Sequence, residues 1–138
     1  MLPFRVHIGP GESPYRQIVY AATKAVVSGE LIAGEAFPSV RVLSRELKVN
    51  PNTAHKVITE LVRDGILEVL PGVGTVVADW GSTSPEARRR LLSDEVERLV
   101  VEARRLGLSE GDVHAAVEER WWSLFETSGD PDGDVAAG

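Results

Sequence analysis

Two helix starts stand close together between residues 39 and 51, and that spacing restricts the chain more than any other feature. Ser39 is a good N-cap for a helix reaching Leu47, with Val40, Leu43 and Leu47 on its inner stripe. Asn50 can cap the next helix. Pro51 follows at its first position, where a missing N–H costs nothing. Ala54, Val57, Ile58 and Leu61 make the buried stripe of this second helix, and Gly65 ends it. Only a tight turn is left to join the two.

Two short β-branched runs come next, Ile66–Leu70 and Thr75–Val77, around Pro71-Gly72-Val73-Gly74. A glycine tip supplies the positive φ that a hairpin turn needs. A helix pair followed by such a hairpin is the outline of a winged helix-turn-helix. In front of the pair, Ile18, Val19, Ala22, Ala25 and Val26 predict a helix from Tyr15 to Ser28, stopped by Gly29. Phe4, Val6 and Ile8 alternate, which predicts a short strand. Behind the hairpin, Ser82-Thr83-Ser84-Pro85 is a polar joint. One helix is expected from Pro85 to Leu106, broken by Gly107. Another starts after Ser109, with Asp112 placed for a near capping box, and ends near Thr127. The expected fold class is mostly α with a small β-hairpin. Residues 1–79 form the winged helix-turn-helix, 80–127 a helical dimerisation region, and 128–138 a disordered tail without apolar periodicity.

Charge at first opposes a polyanionic ligand, because the chain carries −6. Its distribution removes the objection. Residues 1–79 hold eight basic and eight acidic side chains, whereas residues 80–138 hold seven and thirteen. Within the helix pair Arg41, Arg45, Lys48 and Lys56 face only Glu46, and it is the local field that draws an anion. There is no cysteine, hence no disulfide or thiolate metal site. No apolar run is long enough to span a membrane, and no secretory leader is visible, so a cytoplasmic location is expected.

The second helix of a helix-turn-helix lies in the major groove of double-stranded DNA, with its N-terminal residues at base edges. Asn52 can pair bidentately with adenine, and Thr53 can meet a thymine methyl. Thr53, His55 and Lys56 lie mostly off the buried stripe, and the free N–H groups of the helix start suit a phosphate. Arg41 and Arg45 are four apart and share a face on the preceding helix, where they would clamp phosphates or reach a guanine edge. The plainer reading, two merely solvated faces, is weakened by the turn before and the wing after. Gly72-Val73-Gly74 lacks the lysine and further glycine of a phosphate loop. His7, His55 and His114 fall in three different elements without ligand spacing. No cofactor, metal or catalytic constellation is therefore expected, and an enzyme is the remote third reading.

The helix after the joint carries Leu92, Val96, Leu99, Ala103 and Leu106 at 4-3-4-3 spacing, the seam of a coiled coil over about two heptads. The last helix offers Val113, Ala116, Val117, Trp121, Leu124 and Phe125. The two are expected to form an antiparallel hairpin with apolar surface to spare. Trp121 and Trp122 point to adjacent faces, so one chain cannot easily bury both, and such aromatics anchor interfaces. Dimerisation through Leu92, Val96, Leu99, Leu106, Trp121, Trp122 and Phe125 is the favoured reading over capping of an intramolecular core.

The span Pro14–Val77 resembles the GntR family of bacterial transcription regulators. The resemblance rests on Pro14-Tyr15-Arg16-Gln17-Ile18, Ser28-Gly29-Glu30-Leu31, Phe37-Pro38-Ser39-Val40-Arg41, Asn50-Pro51-Asn52-Thr53, Asp64-Gly65-Ile66-Leu67-Glu68 and Gly72-Val73-Gly74-Thr75. About sixty residues follow the wing, which is similar to the YtrA-type subfamily and its short two-helix dimerisation tail. The resemblance implies DNA contacts from Ser39, Arg41, Asn50, Asn52, Thr53, His55 and the wing glycines Gly72 and Gly74. The residues themselves add Arg45 and Lys56. Two departures stand out. His55 occupies a place where the family usually has Arg, and the wing tip lacks the basic residues family members often carry there. The expectation is a homodimeric repressor on an inverted-repeat operator. The alternative is a winged-helix module that binds protein. A small-molecule effector is left open.

Overall fold

A computed structural model describes residues 1–80 and 84–125. Ser82 and Thr83 of the polar joint, the expected helix end at Thr127 and the tail 128–138 lie outside the described residues. The chain divides into two compact units, Met1–Trp80 and one that begins at Gly81.

In the first unit, helix α1 spans Pro14–Val27 and starts at a cap where Ser13 Oγ accepts the Arg16 N–H at 3.3 Å. Helix α2 spans Val40–Leu47 and is capped by Ser39, whose Oγ accepts the Val42 N–H at 3.2 Å. Helix α3 spans Pro51–Arg63, and Asn50 Oδ1 accepts the Asn52 N–H at 2.7 Å. The turn between α2 and α3 works through Lys48. Its φ of 55° puts it in the left-handed region, and its N–H bonds the Ser44 carbonyl. Gly65, with φ 78°, turns the chain out of α3.

Strands β1 (Leu67–Leu70) and β2 (Gly74–Val77) pair antiparallel, with Leu67 opposite Val77 and Leu70 opposite Gly74. The connector before α2 supplies a third edge that the sequence pattern does not announce. Ala36 bridges Val76, the Gly34 N–H bonds the Val77 carbonyl at 2.8 Å, and the Phe37 N–H bonds the Thr75 carbonyl at 2.9 Å. These bonds tie the wing to the helices.

The N-terminal arm forms no strand. Phe4 is buried and stacks on Phe37 with ring centroids 5.5 Å apart, while Val6 and Ile8 pack partly against the same core. The backbone partners of the arm come from a side chain instead of a sheet edge. Gln17 Nε2 donates to the carbonyls of Gly9 and Glu12, and its Oε1 accepts the Gly9 N–H, each at 2.8 Å. Ile18, Ala22 and Val26 of α1, Leu43 of α2, and Ala54, Val57 and Leu61 of α3 fill the core with Leu31, Leu67 and Val77. The described residues bury no polar side chain.

In the second unit, α4 (Pro85–Arg90) begins at a cap where Ser84 Oγ accepts the Ala87 N–H at 3.3 Å. It runs through a π turn at Leu91–Glu95 into α5 (Val96–Arg105). The π turn corrects the expected regular seam. The Val96 N–H bonds the Leu91 carbonyl, five residues back, so Leu91 takes the place under Val96 that an unbroken helix would give Leu92. Gly107, with φ 79°, ends the turn that follows α5. Helix α6 spans Glu110–Phe125. Its start is a reciprocal capping box. Asp112 Oδ2 accepts the Ser109 N–H at 2.9 Å, and Ser109 Oγ accepts the Asp112 N–H at 3.1 Å. The Ser109 N–H, and after it the Ser109 hydroxyl, hold the Asp112 carboxyl below its ordinary pKa. Across an apolar groove of about 420 Å³, lined by Leu99, Ala103 and Leu106 on one side and Val113, Val117 and Trp121 on the other, α5 and α6 face each other. They do not close on it.

Candidate nucleic-acid interface

The roll of α3 about its axis is fixed by Ala54, Val57 and Leu61, which are completely buried. The opposite face must therefore point outward. Asn52, His55 and Lys56 are exposed on it and Thr53 is half-buried. The proline at the helix start leaves no N–H to satisfy there, and the Asn50 amide takes the next one. Ser39 and Asn50 thus serve first as caps. The Ser39 hydroxyl proton and the Asn50 NH₂ group remain as donors for a phosphate.

On α2, Leu43 is completely buried while Arg41 and Arg45 are exposed. Among the described residues neither has an acidic partner within ion-pair distance, and neither does Lys48. The Glu46 carboxylate meets the amino group of Met1, which holds its pKa below the ordinary value. Arg63, at the far end of α3, is paired with Glu60 at 3.0 Å. Within the helix pair, the cations without an ion pair therefore lie on α2, in the turn and on the first half of α3.

The wing has a different chemistry. Gly72 and Gly74 adopt φ of 79° and 120°, which only glycine enters without strain. Val69 and Val73 are 60% and 72% exposed, and no cation lies between Leu67 and Val77. The wing tip is apolar, so whatever it touches is met by shape and backbone groups.

Among the described residues no group of His, Cys, Asp or Glu side chains could hold a metal ion, and His55 stands alone. No described helix is long and apolar enough to cross a membrane. In the second unit Leu92, Val96, Leu99, Leu106, Trp121 and Trp122 are all exposed, and Phe125 is half-buried beside Trp121 at 5.6 Å between ring centroids. Leu91, Val100, Val101 and Val117 join them at the surface. Ala103 is the only buried residue described there.

One contact is not legible in the sequence, and one run of charge within it is easily overlooked. Lys56 Nζ stands 5.6 Å from the centroid of the Tyr15 ring, a contact across 41 residues that only the packing of α1 on α3 creates. Arg88, Arg89 and Arg90 form a basic run that the acidic total of the second half conceals.

An N-capped helix pair, an outward polar face on its second helix and a glycine-tipped hairpin define a winged helix-turn-helix protein. Comparison with known proteins agrees. Residues 14–77 match the gntR family of bacterial regulatory proteins. The chain is 30% identical over 117 residues to the HTH-type transcriptional repressor YtrA of Bacillus subtilis, covering 83% of this chain and 90% of that one. A transcriptional antiterminator from Listeria monocytogenes superposes with a TM-score of 0.78 at 26% identity, covering 88% of this chain and 91% of that one. A GntR family transcriptional regulator, also from Listeria monocytogenes, gives 0.61 at 25% identity, covering 81% and 98%. The chain belongs to the GntR family and is a transcriptional regulator with a helix-turn-helix DNA-binding domain.

Proposed function

We propose that the protein is a cytoplasmic repressor that binds an inverted-repeat operator as a homodimer. Residues 1–79 would read DNA and residues 80–127 would pair the subunits. The observation that carries the reading is the outward face of α3, where Asn52, His55 and Lys56 stand exposed above a completely buried stripe. In this reading Asn52 and Thr53 meet base edges. Ser39, Arg41, Arg45, Asn50 and Lys56 hold phosphates, and the backbone at Gly72 and Gly74 approaches the neighbouring groove. His55 can donate one hydrogen bond to a guanine or adenine edge, where an arginine would donate two. Pairing is supported by the second unit, whose helices bury only Ala103 among the described residues while exposing Leu92, Leu106, Trp121 and Trp122. Repression is supported by the length over which the chain matches the YtrA repressor.

Recovery of genomic fragments on the purified protein, followed by footprinting, tests the reading. It predicts short protected inverted repeats that overlap promoters. Recovery of random fragments without a shared repeat would contradict it. The exposed Val69 and Val73 of the wing favour one other reading, a module that docks on protein. That reading predicts a partner retained at high salt and no protected DNA.

A further inference from the structure

Tyr15 lies at the second position of α1, half-buried, with its ring packed against the core. Lys56 projects from the outward side of α3, and its ammonium sits 5.6 Å from the centre of that ring. The distance is within the range in which an ammonium is attracted to an aromatic face. No acidic side chain lies within ion-pair distance of Lys56 among the described residues, so the ring is the partner that holds it.

We propose that Tyr15 is a positioning residue for Lys56, holding its ammonium over the ring so that it is pre-set to meet a DNA phosphate. The proposal rests on the reading that α3 faces DNA. Its physical basis is the difference between a ring and a carboxylate as a partner for lysine. A carboxylate would neutralise the charge and occupy the N–H donors, and the pair would have to break when DNA arrives. A ring face attracts the cation while leaving its full charge and its outward N–H donors free. A lysine stem is flexible, so a stem already held loses less freedom when the phosphate binds. The contact also joins the start of α1 to the reading helix, which gives α1 a part in binding beyond filling the core.

The test uses the full chain, a mixed-sequence 24-base-pair duplex at low salt, and the variants Tyr15→Phe, Tyr15→Leu, Lys56→Ala and Tyr15→Leu with Lys56→Ala. Binding is measured where thermal melts show every variant folded. Tyr15→Leu should weaken binding about 2- to 5-fold, and Tyr15→Phe, which keeps the ring, should bind like the parent. Once Lys56 is alanine, Tyr15→Leu should cost nothing more. In the free protein the Lys56 ε-methylene protons should resonate upfield through the ring current, and should return to ordinary values in Tyr15→Leu but not in Tyr15→Phe. Additive losses would overturn the proposal, as would a Tyr15→Phe loss equal to that of Tyr15→Leu, because the hydroxyl would then be acting directly. If Lys56→Ala weakens binding and Tyr15→Leu does not, the tether fails and the DNA-facing reading of α3 stands. If Lys56→Ala binds as tightly as the parent, that reading fails at this residue and the proposal falls with it.

Discussion

Asp64, the C-cap of α3, works against the helix it ends. Partial burial raises its pKa first, the nearby Glu60 raises it further, and Arg63 only partly offsets them. A carboxylate there also faces the negative end of the helix dipole. The sign follows from proton binding. The folded state holds the Asp64 proton more tightly than the unfolded chain does, so this residue adds stability as pH falls through its raised pKa and costs stability above it. Asp64→Asn should therefore stabilise the protein at pH 7 by about 0.3–0.5 kcal/mol, at the low end because the group is largely solvated. Urea titrations at neutral and acid pH would show the gain at the first and its disappearance at the second. On the outward face, Asn52→Ala should lose about 1–3 kcal/mol of discrimination at particular bases, whereas Lys56→Ala should weaken all sequences alike. Equal losses on a footprinted site and on random DNA for both variants would show that Asn52 reads no base. At this scale the caps were legible: Ser39, Asn50 and Gly65 act on residues within a turn of themselves. Lys48 in the left-handed region and Tyr15 against Lys56 were not, because nothing local in the sequence marks them.

Elements show the same division between local signals and tertiary ones. The helix pair and the hairpin lie where spacing and glycine placement put them. The alternation of Phe4, Val6 and Ile8 misled, because it records burial against a core and not pairing to a strand. The π turn was invisible to a count of heptads, which assumes one uniform pitch. The wing offers a clean test of backbone strain. A Cβ at Gly74 would meet no atom within 4 Å, so any cost of adding one comes from its φ of 120° and not from crowding. Gly74→Ala should destabilise the first unit by about 1–3 kcal/mol. Gly9→Ala, equally open but without a positive φ, should cost much less. Denaturant midpoints of the two variants would check the contrast; equal midpoints would mean that the turn relaxes at no cost.

The whole molecule joins a well-filled unit to an under-filled one. Met1–Trp80 has a core of large apolar side chains that are almost completely buried, including Ile18, Leu31, Leu43, Leu61 and Leu67. The helices after Ser84 bury only Ala103 among the described residues. If the protein is a dimer on DNA, Arg41, Arg45, Lys48 and Lys56 from each of two subunits can make about four to eight phosphate contacts. Log affinity should then fall with log salt at a slope of roughly −4 to −7, at about 0.9 per contact. A slope near zero would remove DNA as the ligand.

Separating the two units tests where the dimer resides. The cut belongs after Trp80, because Ala78 is buried and its N–H bonds the Ile66 carbonyl at 2.9 Å, so ending the chain at Val77 would damage the wing. Residues 1–80 keep every core side chain of the first unit and should fold. They lose the exposed seam of Leu91, Val96 and Leu99 and the aromatic group of Trp121, Trp122 and Phe125. Two-fold pairing of that surface would cover it, and a dimer engaged on two half-sites one turn of DNA apart presents its reading helices about 34–36 Å apart. The fragment should therefore sediment as a monomer and bind a half-site only weakly, since joining two contacts raises affinity by about 10²–10⁴ when both can engage. The full chain should sediment as a dimer, and Trp121→Ala with Trp122→Ala should shift it toward monomer and weaken operator binding in step. If the fragment dimerises and binds the whole operator as tightly as the full chain, the pairing surface lies within the first 80 residues, and the apolar seam has another occupant.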